Sequence, residues 1–154
     1  MGKQITGSRN KRLYRTQTKA GILLLLLIFL AGCVHFISDY DTYSYKNLTD
    51  LKAETLVLLD AFAENPKSPN CAEKMDELKL HLEKAYQYEK GKKLNDNTIA
   101  QLGEIRKMVD GMIAVLKKQG GFTATYLEEK RLQLEEAFDM AIATESIKIR
   151  RGNF

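Results

Sequence analysis

The run at residues 20–33, AGILLLLLIFLAGC, constrains the chain more than any other stretch. It is apolar all round, with no polar stripe, so it cannot serve as one helix of a soluble core, which needs a wet face. Six basic residues (Lys3, Arg9, Lys11, Arg12, Arg15 and Lys19) and no acidic ones precede it. A positively charged segment followed by a short apolar one is the pattern of an export signal. Extended to residue 37, the run also approaches the roughly 17–25 residues of a membrane-spanning helix. An uncleaved single-pass anchor is therefore the alternative.

The end of the run separates these readings. Leu30-Ala31-Gly32-Cys33 resembles the lipobox of bacterial lipoproteins, in which small residues precede a cysteine. The resemblance implies that the Cys33 thiol becomes a diacylglyceryl thioether. It also implies cleavage before Cys33 and usually acylation of the new amino terminus. Small Ala31 and Gly32 suit a peptidase that must approach the backbone. Val34 stands where the retention signal in enterobacteria has Asp, which implies the outer membrane facing the periplasm, where the source has one. Covalent lipid on Cys33 is then the only cofactor expected.

Removal of residues 1–32 leaves 122, enough for one domain with its own core. The formal charge of +4 changes with it, because 18 Lys and Arg now face 20 Asp and Glu, a net of −2. A nucleic-acid reading based on overall basicity would rest on a discarded peptide. With Cys33 acylated, Cys71 is left odd. It reads as a small residue in the first turn of a helix, with an intermolecular disulfide as the alternative.

Residues 33–43 read as a lipidated tether, about 10 residues and at most ~36 Å extended. Asp39, Tyr40, Asp41 and Tyr43 invite an acidic-aromatic binding patch, although a polar linker at the lipid interface explains them more simply. Residues 44–149 read as a helical bundle, and 150–154 as a basic tail. In the first helix Tyr45, Leu48, Thr55, Leu58, Leu59 and Phe62 share a stripe with Leu51 at its edge, and Asn65-Pro66 ends it. Asn70 and Glu73 have capping-box spacing for the second, which buries Met75, Leu78, Leu82 and Ala85 and stops at Gly91. Asn95-Asp96-Asn97 offers caps for the third, whose Leu102, Ile105, Val109, Met112 and Leu116 alternate by three and four. Gly103 and Gly111 interrupt that helix and would allow close approach of a neighbour; Gly120-Gly121 stops it. Thr123, with Phe122 and Leu127 as a hydrophobic staple, or Thr125 with Glu128, starts the fourth, which buries Leu127, Leu134, Phe138, Ala141 and Ile142.

Short links between helices of similar length make neighbours antiparallel, so the expected fold is an all-α, up-down four-helix bundle, with a three-helix bundle as the alternative. The second-to-third link and the C-terminus then return towards the membrane. Lys90, Lys92 and Lys93 lie in that link, and Lys148, Arg150 and Arg151 in the tail. These six are candidate headgroup contacts, at about 1 kcal/mol per cation near an anionic surface. Lysines at helix C-termini also complement the macrodipole anywhere.

Catalysis requires convergent polar groups, and none are legible. His35 lies in the tether, and His81 has Glu77 at i−4 but no second Glu-x-x-His element. No metal site is expected. Met75, Met108, Met112 and Met140 read as core fillers, and Glu128-Glu129 and Glu135-Glu136 as a solvated face. The mature region loosely resembles small helical bacterial lipoproteins in which a Tyr-Asp element precedes a helix rich in Leu, Lys and Asp. The matching residues are Tyr40-Asp41 and Leu48-Thr49-Asp50-Leu51-Lys52, and the resemblance implies no activity. The expected function is non-catalytic: a membrane-tethered bundle that binds a partner protein of the cell envelope or self-associates. A periplasmic small-molecule carrier is the alternative.

Overall fold

A computed structural model of the chain describes residues 38–148. Four helices account for most of them: α1 (Thr42–Glu64), α2 (Cys71–Lys90), α3 (Asp96–Gln119) and α4 (Ala124–Ser146). No strand occurs among the described residues. Each helix packs on the two beside it in a closed ring, α1 on α2, α2 on α3, α3 on α4 and α4 on α1. This is the antiparallel four-helix bundle, not the three-helix alternative. The lipobox residues Leu30, Ala31, Gly32 and Cys33, and the tail residues Arg150 and Arg151, lie outside the described residues.

Local chemistry fixes the helix ends. Extended Asp41 caps α1 by accepting from the Tyr43 amide at 2.9 Å, so the helix starts inside the stretch expected to be tether. Asn70 is itself in the right-handed helical region, which turns its side chain away from the first-turn amides, and the Asn70–Glu73 box is not made. Gly91 is right-handed as well. The left-handed residue of that link is Leu94, at φ 56°. At the far end of the bundle Gly120 takes the left-handed position after α3. Thr123, not Thr125, caps α4 by accepting from the Tyr126 amide. Gly121 is needed for space, because a Cβ there would lie 2.7 Å from the Pro66 carbonyl oxygen.

The inner faces interlock as apolar periodicity dictates. Leu48, Leu59, Phe62, Met75, Leu78, Leu82, Leu102, Ile105, Val109, Met112, Leu134 and Phe138 are all essentially inaccessible. Each such side chain contributes about 1.5–3 kcal/mol on burial. Phe62, Phe122 and Tyr126 close the far end, with ring centroids 5.6 and 5.8 Å apart.

Some assignments shift. Leu51 is buried rather than at the edge of the α1 stripe, and Tyr45 is exposed while Ser44 takes the inner position. Met140 is exposed, so only Met75, Met108 and Met112 fill core space. Gly111 faces open space and Gly103 meets the Tyr86 ring only at ordinary contact, so neither sets a close helix approach.

Candidate functional site

The inner face of α2 runs Leu78, Leu82, Ala85 and then Glu89; that of α4 runs Phe138, Ala141 and then Glu145. Continuing the apolar spacing thus carries two carboxylates into the bundle at the end where residue 38 begins. Both are almost wholly buried, Glu89 at 1% and Glu145 at 0% exposure. Unpaired buried charge costs several kcal/mol, so each needs partners.

The chain supplies them from residues just beyond the ends of the four helices. Lys148, 4% exposed, donates to Glu145, to Asn95 Oδ1 at 2.7 Å and to Thr98 Oγ1 at 3.1 Å, which uses all three of its protons. Asn95 Nδ2 donates to Glu89 Oε2 at 2.5 Å and to the Glu89 carbonyl at 3.1 Å. Glu145 Oε1 accepts from the Asp41 amide at 3.1 Å. Lys92 reaches inward to Ser44 Oγ at 2.7 Å, with Glu89, Asp41 and Glu145 within 3.3–3.7 Å.

Two further bonds tie the incoming chain to this cluster. The Ser38 amide donates to the Leu94 carbonyl at 2.7 Å, and Ser38 Oγ donates to Asn95 Oδ1 at 3.0 Å. Tyr88 Oη donates to Asp41 Oδ2 at 2.7 Å. Burial alone would raise the Asp41 carboxyl, but the bonds from Tyr88 and the Tyr43 amide, with Lys92 nearby, bring it down to about 2. The same Asp41 bond pushes the Tyr88 phenol up to about 12. Two lysines face three carboxylates, and neutral donors (Tyr88, Asn95 and the Asp41 and Tyr43 amides) make up the difference; structurally the cluster is a clamp.

These contacts correct the headgroup set. Lys148 is buried in the cluster and Lys92 is turned into it, so neither is available to lipid. Lys90 and Lys93 remain on the surface, Lys90 over the Tyr86 ring at 5.6 Å. His81 pairs with Glu54 of α1 at 2.9 Å, not with Glu77 along its own helix. Cys71 is buried, which raises its thiol and leaves no face for an intermolecular bond. Glu135 lies 3.7 Å from Lys52, while Glu128, Glu129 and Glu136 are solvated. Among the described residues no group of three His, Cys, Asp or Glu side chains could hold a metal, and no helix is long and apolar enough to cross a membrane.

The second candidate feature is a groove along the α1–α2 seam. Its first hollow, about 350 Å³, has Leu51 and Ala85 as floor. Asn47, Asp50 and Glu54 wall it on the α1 side, and His81 and Lys84 on the α2 side. The Tyr43–Tyr88 ring pair, centroids 5.2 Å apart, flanks it at the clamp end. Glu54 also lines a second hollow of about 260 Å³, together with Val57, Leu58, Ala61, Lys74 and Glu77. No sequence signal marks the groove, because its lining is set by which faces of α1 and α2 meet. Comparison of the chain with family models, with curated proteins and with solved structures gave no match.

Proposed function

We propose that the protein is a non-catalytic lipoprotein, tethered to the membrane through lipid on Cys33, whose bundle binds a partner protein of the cell envelope along the α1–α2 groove. One observation carries the binding half of this reading: the α1–α2 seam carries two hollows that meet at Glu54, where the Glu54–His81 bond crosses from helix to helix, and the first has an apolar floor and polar walls. Two hollows in a row along a helix seam suit successive apolar side chains of an amphipathic helix, with the polar walls and the bridging pair supplying register. The small-molecule carrier is the second reading, and the volume of the first hollow, near the lower end of the roughly 300–1,000 Å³ range of ligand sites, favours it to that extent.

Site-specific photo-crosslinking in cells tests the proposal. A crosslinker at Asn47 or Lys84 should capture one envelope protein, and the same group at Lys107 on the solvated face of α3 should not. Equal capture at all three positions, or none at 47 and 84, contradicts a partner site in the groove. A co-purifying small molecule seen by native mass spectrometry, with no protein adduct, favours the carrier.

A further inference from the structure

We infer that the clamp end of the bundle is itself a membrane-contacting face, with Leu94 and Ile147 entering the headgroup–acyl boundary. The inference rests on the lipid-anchor reading above, and it assigns a second, non-covalent contact to the same bilayer.

Leu94 is 51% exposed and Ile147 is 76% exposed, so the two apolar side chains project into solvent at one end of the bundle. The clamp holds them together: Asn95, next to Leu94, accepts from Lys148, next to Ile147. This is a rigid base, since Glu89, Glu145 and Thr98 beneath it are buried and bonded. Leu94 is also the one described residue other than glycine with a left-handed backbone, at φ 56°. Glycine or asparagine serves such a position better than leucine. A leucine that neither fills the core nor suits its backbone is accounted for by something outside the fold.

Chain length says what that is. The Ser38 amide and hydroxyl are bonded to Leu94 and Asn95, so only four residues, 34–37, separate an acylated Cys33 from the clamp in sequence. Five Cα steps reach at most about 18 Å, less than the width of two packed helices. The Leu94–Ile147 face therefore cannot leave the neighbourhood of the lipid. Among the described residues exposed Lys90 and Lys93 border it, but so do exposed Asp39 and Asp96, which leaves little net charge from these four. Apolar insertion rather than attraction to anionic lipid is thus the dominant contact.

The chain contains no tryptophan, so single-tryptophan reporters are available. The processed protein, its acylation verified by intact mass, is reconstituted into phosphatidylcholine vesicles carrying brominated acyl chains, as Leu94→Trp, Ile147→Trp or Leu132→Trp. Leu132 is 63% exposed on α4, about 22 Å along the helix from residue 147, and serves as control. Emission from positions 94 and 147 should shift to the blue and be quenched, and that from 132 should not. Ile147→Trp sits on ordinary backbone and keeps the test valid if Leu94→Trp misfolds. Acylated protein whose reporters at 94 and 147 stay as water-exposed as that at 132 overturns the inference while leaving the anchor standing; the patch would then belong to a protein partner. Quenching confined to vesicles containing phosphatidylglycerol, and abolished by salt, overturns the apolar mechanism. A mass without acyl chains overturns both this inference and the anchor reading.

Discussion

Replacing Lys148 with methionine tests the clamp, because methionine keeps the length of the side chain and deletes its charge. The Lys148 side chain is 1% exposed and its partner Glu145 is 0% exposed, so water cannot replace the lost cation. Stranding one member of such a pair costs about 3–5 kcal/mol. Lys92, 3.7 Å from Glu145 Oε1, still offsets part of the remaining charge, which puts the expected loss near the lower figure. Asn95 Oδ1 keeps its bond from Ser38, while Thr98 Oγ1 loses a donor. A loss of about 3 kcal/mol is a large fraction of the roughly 5–15 kcal/mol that stabilises a typical domain. Urea unfolding followed by circular dichroism at neutral pH measures it. Glu145→Gln in the same background removes the stranded charge, yet a glutamine oxygen can still accept from the Asp41 amide. The double variant should therefore recover at least about 1 kcal/mol over Lys148→Met, which a double-mutant cycle reads as coupling. A loss below about 1 kcal/mol for Lys148→Met, or strictly additive effects, would refute the argument that these two charges depend on each other.

Three other outcomes are expected. The Asp41 carboxyl lies at about 2 in the folded chain against an ordinary 3.8, so its contribution is present above pH 4 and is lost as pH falls from about 4 to 2. With the side chain a quarter exposed, the contribution is about 1 kcal/mol; Tyr88→Phe should reduce it, and the difference between wild type and variant should vanish in acid titrations near pH 2. Thr55 Oγ1 is buried without a hydrogen-bond partner, so Thr55→Val should stabilise the bundle by about 1 kcal/mol in urea melts, and destabilisation would show a missed partner. Leu94→Gly should stabilise by about 0.5–1 kcal/mol through relief of the left-handed strain, seen in urea melts, and should also reduce the bromolipid quenching of a tryptophan at position 147 in the acylated protein.

The all-α bundle was legible because its signals are local and repeated. The α3 seam from Leu102 to Leu116 alternates with helical period, and every member is buried. Pro66 and Gly120 mark helix ends by backbone chemistry alone. The clamp was not read, because Glu89 and Glu145 look like solvated charges, and Lys148 like a headgroup contact, until the inner-face register is extended by one more turn. That extension, Ala85 to Glu89 and Ala141 to Glu145, is the signal the sequence does contain. The groove left no such trace. His81 reaches Glu54 rather than Glu77 because its position on α2 faces α1, a choice that depends on tertiary packing. Asp41 shows the same limit: its cap on the Tyr43 amide is local, but its bond to Tyr88 spans 47 positions.

The central claim is that fatty chains on one thiol hold this bundle at a membrane, and intact mass spectrometry of the protein extracted from cell membranes tests it most directly. The account predicts a chain of residues 33–154 carrying acyl mass, and loss of both cleavage and acylation in Cys33→Ser. A wild-type mass that begins at Met1 and carries no lipid would contradict it.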